Sequence, residues 1–258
     1  MTYKAAWYPS PIELPQRRHG KLQLRHRTIA AGLDVNIVGQ RQALLRGMRP
    51  VFGKTTVPLR IHELVEDDHG IWMTDLPEEL NQIAEMLHAV RPKGSVLVGG
   101  LGLGLVAAAV AARPGVRNVV VVERSADVIA LCARTNIYGV VERDIGEYLV
   151  KTRECFDYYL LDTWQGTSEG TWWEEVLPLR RTIRRRFGLK PAIHCWAEDI
   201  MLGQIVRTLT TMPPHWYYGD LKMPMNTADA DRFVRDVGLP AWERQYGAAV
   251  DGALRDDS

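Results

Sequence analysis

The chain has only three cysteines, Cys132, Cys155 and Cys195, and no two stand at CxxC spacing. An odd, scattered set argues against a disulfide framework and against a thiolate zinc site; it reads as buried, reduced thiols in a cytoplasmic protein. An excess of one charge is missing too. The 32 Lys and Arg against 31 Asp and Glu leave a net charge of +1, so bulk electrostatics select no partner. No apolar run reaches the roughly 20 residues that span a bilayer. The longest, Val96 to Ala112, is full of glycine and alanine and reads as a buried strand running into a helix. The first residues, MTYKAAWYPSPIELP, lack a charged segment followed by an apolar one, so no secretory leader is expected. Internal repeats and low-complexity tracts are absent as well. What remains is an ordinary globular profile, 46% hydrophobic and 24% charged over 258 residues. That length allows one large domain, or a domain with a smaller companion, and leaves an oligomer possible.

Two textures divide the chain. Residues 1–75 hold short alternating stretches broken by glycine and proline, among them Lys21–Arg27, Leu33–Val38 and Val57–Val65, which predict strands and turns. From Asp75 the pattern turns helical. Asp75 is the expected N-cap, Pro77 falls in the first turn with acids behind it, and Leu80, Ile83, Ala84 and Leu87 recur at helical spacing until Pro92 and Gly94. Strand and helix then alternate. Strands are expected at Ser95–Gly100, Asn118–Val122, Tyr138–Glu142, Asp157–Leu161 and Pro191–Trp196. Helices are expected at Leu105–Ala112, Ala126–Asn136, Asp144–Thr152, Trp172–Phe187 and Glu198–Thr211, and HWYYG (215–219) reads as a late strand before a frayed tail. This order predicts an α/β fold: a Rossmann-like, doubly wound, mostly parallel sheet over 76–258, preceded by a small β-rich region over 1–75.

The segment Val98–Gly99–Gly100–Leu101–Gly102–Leu103–Gly104 links an apolar strand to an alanine-rich helix. Glycine there permits a sharp turn and lets backbone approach a ligand beyond the carboxyl ends of the strands. Glu123 ends the next strand, 19 residues past Gly104, where a carboxylate can accept hydrogen bonds from ribose hydroxyls. The bland alternative is a tight turn with a solvated glutamate. Two cofactor classes fit. Gly102-Leu-Gly104-Leu-Val-Ala107 satisfies the nicotinamide pattern GxGxxA, and the three glycines equally satisfy a GxGxG turn.

The succession GGLGLG, VVVVERSADVIALCA and VVERDIGEYLVKTRECFDYYLLD resembles the class I S-adenosylmethionine (SAM)-dependent methyltransferase superfamily, in particular its spermidine synthase-like branch, over about residues 75–200. That resemblance implies a SAM site in which Gly100, Leu101, Gly102 and Gly104 form the cofactor turn and Glu123 holds the ribose. It also places Asp144 at the adenine amino group and Ile145 against the ring. A carboxylate suits an amino group as acceptor to donor; Asp144 also suits a helix N-cap. Val98 departs from the resemblance, standing where many methyltransferases carry an acid for the methionine amino group. Spermidine synthases carry D-x-x-D-P after the fourth strand; here Asp162-Thr163-Trp164-Gln165-Gly166 keeps only the first acid, which removes a partner for a polyamine cation. The DPPY or NPPY tetrapeptide of amino-methylating nucleic-acid enzymes is absent.

Asp162 is accordingly the candidate catalytic base or amine-orienting group, unless it caps the following turn. Trp164, Trp172 and Trp173 either line a substrate pocket or anchor a helix. Two basic runs, Arg17–Arg27 and Arg180–Arg186, make nucleic acid conceivable if they share a surface, though a solvated or ion-paired face explains them more simply. His194 and Cys195 read as core or rim residues, and no metal site is expected. The leading expectation is a SAM-dependent methyltransferase acting on a small-molecule acceptor. Its rivals are an aminopropyltransferase using decarboxylated SAM, a nicotinamide-dependent oxidoreductase, and a nucleotide-binding protein without turnover.

Overall fold

A computed structural model describes residues 13–38, 51–164, 171–198 and 200–202. Its first strands are β1 (Arg17–His19), β2 (Leu22–Ile29), β3 (Asp34–Val38), β4 (Val51–Lys54), β5 (Leu59–Glu66) and β6 (Gly70–Thr74). Four of them form an antiparallel sheet in the order β1-β2-β5-β6, and β3 pairs with β4 as a separate hairpin. Period-two alternation sets the faces. Leu22 and Leu24 of β2 are buried with Leu64, which lies opposite Leu24; each such leucine contributes about 1.5–3 kcal/mol by leaving water. On the other face Arg25 lies opposite Glu63. The buried Glu63 carboxylate accepts Nε of Arg25 at 2.7 Å and Nε of Arg27 at 2.6 Å, which is how a charge is tolerated inside a small sheet.

Helix α1 (Pro77–Val90) follows, with Pro77 at its start as expected. Its N-cap, however, is Leu76 rather than Asp75. The Asp75 carboxylate turns away from the helix. It accepts the His62 backbone N–H at 2.6 Å and lies 2.7 Å from His62 Nδ1. Both side chains are buried, and an imidazole plus a β5 amide satisfy a desolvated carboxylate that would otherwise be costly.

The remaining strands are β7 (Gly94–Gly99), β8 (Val116–Glu123), β9 (Gly139–Glu142), β10 (Tyr158–Leu161) and β11 (Ala192–Cys195). Between them run α2 (Leu105–Ala111), α3 (Ala126–Cys132), α4 (Ile145–Lys151) and α5 (Leu177–Phe187). All four pairings are parallel, in the order β11-β10-β7-β8-β9. Winding outward from β7 in both directions gives a Rossmann-like, doubly wound sheet. Central Val96, Leu97 and Val98 are buried, as a strand covered on both faces requires. One core joins this sheet to the antiparallel one: Leu22, Leu24 and Leu64 pack in the same cluster as Val128, Leu131 and Val121. The described residues fall into two compact units, those within 1–163 and 179–196 in one and those within 164–178 and 197–258 in the other.

Several boundaries differ from expectation. Helix α3 stops at Cys132 instead of Asn136, because residues 134–138 turn to bury Tyr138 against the glycine loop. The expected helix from Trp172 opens as a π-helical turn over Trp172–Val176, with the Leu177 N–H bonded to the Trp172 carbonyl. Pro178, which has no N–H to give, sits in the first turn of α5. Cys132 and Cys195 are buried as expected, but Cys155 is exposed. Among the described residues, no helix is long and apolar enough to cross a membrane. Gln165, Gly166, the HWYYG stretch, most of the expected 198–211 helix and the tail lie outside the described residues.

Candidate functional site

The strand order reverses between β7 and β10. In open α/β sheets the crevice at the carboxyl ends of two such strands receives ligands. The sequence supplies this crevice with the glycine loop after β7 and with Asp162 after β10. The two are in contact: the Asp162 N–H donates to the Gly99 carbonyl at 2.8 Å. Gly100, at φ +89°, has no room for a Cβ, because the Asp162 carbonyl and the Thr163 methyl occupy that side. This strand-to-strand contact is what requires glycine at position 100.

Glu123 organises the other side of the loop. Its Oε2 accepts the Leu101 N–H at 2.9 Å and its Oε1 accepts the Ser125 N–H at 2.8 Å. The Gly100 N–H donates to the Val122 carbonyl at 2.9 Å, so the tip of β8 holds the loop at two points. Each Glu123 oxygen has a second lone pair and can still accept a ligand hydroxyl. The Glu123 carbonyl also accepts the Arg143 N–H at 2.9 Å, which brings Asp144 and Ile145 to the same edge. Asp144 is exposed, and its Oδ1 caps α4 by accepting the Glu147 N–H at 3.1 Å. Ile145 is buried beside Gly99, where an added Cβ would come within 3.3 Å of its Cγ1. Gly100, Leu101, Gly102, Gly104, Glu123, Asp144, Ile145 and Asp162 thus all belong to the ends of β7–β10 and the turns that follow them.

Three residues enter the site that the sequence did not flag. Met73, in β6, places its Sδ 3.2 Å from the Leu103 N–H and covers Gly102. Tyr138 aims its hydroxyl at Gly104, 2.5 Å from where a Cβ would stand. Glu79, in the first turn of α1, lies within reach of the Asp162 charge. Burial pushes the Asp162 carboxyl up from 3.8 to about 7. Burial first, then the charges of Asp162 and Glu78, push Glu79 from 4.5 to about 7. Two carboxyls that both resist ionisation near neutrality can hold and exchange a proton. The acids after Pro77 looked only like first-turn partners of a helix dipole, so periodicity alone could not show that one of them turns toward a strand end.

The other candidates resolve differently. Arg18 pairs with Asp67 and Lys21 with Asp68 at 3.9 Å. The Arg17 guanidinium donates to the Leu131 carbonyl at 2.6 Å. In the second run, Arg184 donates to the carbonyls of Gly188, Leu189 and Pro191, Arg180 to that of Ile193, and Arg186 to that of Thr152. These arginines tie the chain to itself. Trp172 is fully buried, stacks edge-on against Trp173 at 4.7 Å, and donates its indole N–H to Glu198 at 3.2 Å, so it anchors the π-helical turn.

No protein family and no curated protein matches the chain in sequence. Among solved structures it is similar to the precorrin-8w decarboxylase of Methanobacterium thermoautotrophicum, with 18% identity, 61% of this chain and 71% of that one covered, and a TM-score of 0.36. It is also similar to a protein of Methanococcus maripaludis provisionally assigned as a SAM-dependent methyltransferase (13% identity, 62% and 75% covered, TM-score 0.34). A third similarity is to the spermidine synthase of Thermotoga maritima (17% identity, 69% and 74% covered, TM-score 0.31). The fold assignment rests on the strand order and the parallel register rather than on these scores.

Proposed function

We propose that this chain is a SAM-dependent transferase, in the first instance a methyltransferase of a small acceptor. The observation that carries the reading is the Glu123 carboxylate, which ends the second parallel strand, bridges the glycine loop and keeps acceptor capacity at the switch point. The donor set fits an adenosyl group. Glu123 accepts from a ribose diol, Asp144 offers an acceptor to the adenine amino group, and Ile145 supplies apolar cover. Bound SAM supplies an electrophilic carbon on a sulfonium. The chain's own task is to orient the nucleophile and take up its proton. Asp162 suits that task because a carboxyl titrating near neutrality is both available as a base and strong enough to use, a combination worth roughly 10²–10⁴-fold in rate.

One observation favours a second reading, aminopropyl transfer from decarboxylated SAM. Glu79, within reach of the Asp162 charge, would supply a second carboxylate for an amine, the partner that Gln165 fails to provide. Calorimetric titration with SAM, decarboxylated SAM, methylthioadenosine and NADH separates the possibilities. Preference for SAM supports methyl transfer, and preference for decarboxylated SAM supports aminopropyl transfer. Binding of NADH alone overturns the transferase reading, and binding of none leaves a fold without this cofactor.

A further inference from the structure

We propose that Met73 makes the glycine-rich crevice selective for adenosyl cofactors that carry no phosphate; this deepens the cofactor reading above and rests on it. A Rossmann-type loop binds a pyrophosphate through two features, free backbone N–H groups and bare glycine Cα atoms that let the anion come close. Within the loop, several of these groups are already engaged by this chain. The Gly100 N–H goes to Val122, the Leu101 N–H to Glu123, and the Gly104 N–H to the Leu101 carbonyl at 2.7 Å. The Leu103 N–H goes to the Met73 thioether at 3.2 Å. The bare face of Gly102 lies against Met73 Sδ and Cε, and that of Gly104 against the Tyr138 hydroxyl.

The charge around the loop points the same way. Glu123 touches the loop through the Leu101 N–H, and the Asp162 backbone packs on Gly100. An anion placed there meets the Glu123 carboxylate directly at the loop, whereas a sulfonium finds in it a favourable partner. Met73 reaches the loop from outside the parallel sheet, on the last strand of the antiparallel one. A thioether is a weak acceptor, so a phosphate oxygen would take the Leu103 N–H readily if Met73 were removed.

The test uses the full chain as wild type, Met73→Ala and Met73→Leu, titrated with S-adenosylhomocysteine and with ADP at fixed ionic strength. The Leu103 amide resonance is followed in parallel. Wild type should prefer S-adenosylhomocysteine. Met73→Ala, its fold reported by a dispersed amide spectrum, should bind ADP about tenfold or more tightly than wild type, the worth of one charge-assisted hydrogen bond. The Leu103 resonance of Met73→Ala should move on ADP binding. Met73→Leu fills the space without the sulfur and should still exclude ADP. An unchanged preference in Met73→Ala, with S-adenosylhomocysteine bound normally by wild type, overturns the role of Met73 alone. Wild type binding ADP as tightly as S-adenosylhomocysteine also overturns it, and wild type binding neither ligand removes the cofactor reading and this inference together.

Discussion

Asp162→Asn should make the protein more stable at alkaline pH while abolishing turnover. The unfolded chain releases the Asp162 proton near its ordinary pKa of 3.8, whereas burial holds it in the folded chain up to about 7. Well below pH 3.8 both states are protonated and the group costs nothing. As pH rises from 4 to 7 the folded state binds more protons than the unfolded one, so stability falls, and above 7 the full penalty is present. About three pKa units at about 1.4 kcal/mol each set a ceiling near 4 kcal/mol, and partial exposure of the residue reduces this to about 1–3 kcal/mol. Asparagine has the same shape and no charge to desolvate. Urea denaturation of wild type and variant across pH 4 to 9 should therefore show curves that meet at acid pH and separate by about 1–3 kcal/mol above pH 7. Glu79→Gln should show the same sign, since burial and the Asp162 charge raise Glu79 too. A gap between wild type and Asp162→Asn that does not change with pH, or a variant less stable at pH 8, would refute the reasoning. Retained turnover in a variant that still binds S-adenosylhomocysteine would separately remove Asp162 as the base.

Three further outcomes are expected. Glu123→Ala should weaken SAM binding by about 1–3 kcal/mol by calorimetry, since a charged acceptor is lost and the Leu101 and Ser125 amides lose their partner; unchanged affinity would show that Glu123 does not hold the ribose. Gly102→Val places a branched side chain at φ +51° against Met73 and should block the crevice, whereas normal binding in the folded variant would mean the cofactor was misplaced. Glu63→Gln should cost about 1–3 kcal/mol at pH 7, because the buried carboxylate answers two half-exposed arginines. Its pKa is held below 4.5 by Arg27 and Arg25 against the upward pull of burial. That stability is present above the unfolded pKa and lost as pH falls through the folded one, so the wild-type advantage should shrink in acid, the reverse of Asp162.

The parallel half of the fold was legible because each element carried its own signal. Val96–Val98 and Val119–Val122 could only be buried strands, and Gly100–Gly104 could only be a turn opening a helix. The antiparallel half was less so. β1, β4 and β6 went unrecognised, being three to five residues long, too short for period-two alternation to stand out. Asp75 was misread because the N-cap rule weighs only neighbours in sequence, whereas its partner, His62, lies 13 residues away across a sheet.

The same limit governs the site. Residues at strand ends were readable because topology alone brings the ends of β7, β8, β9 and β10 together, whatever the side chains. Met73 and Glu79 arrive from β6 and α1, and their approach depends on how the antiparallel sheet packs on the parallel one, through Leu22, Leu24 and Leu64. No spacing rule encodes that docking. It matters chemically, because the loop sequence by itself satisfied both a nicotinamide and a SAM pattern. The glycines leave the class of cofactor open. Under the reading proposed above, what narrows it is the Met73 side chain that another sheet lays on Gly102, together with the Glu123 carboxylate bonded to the loop.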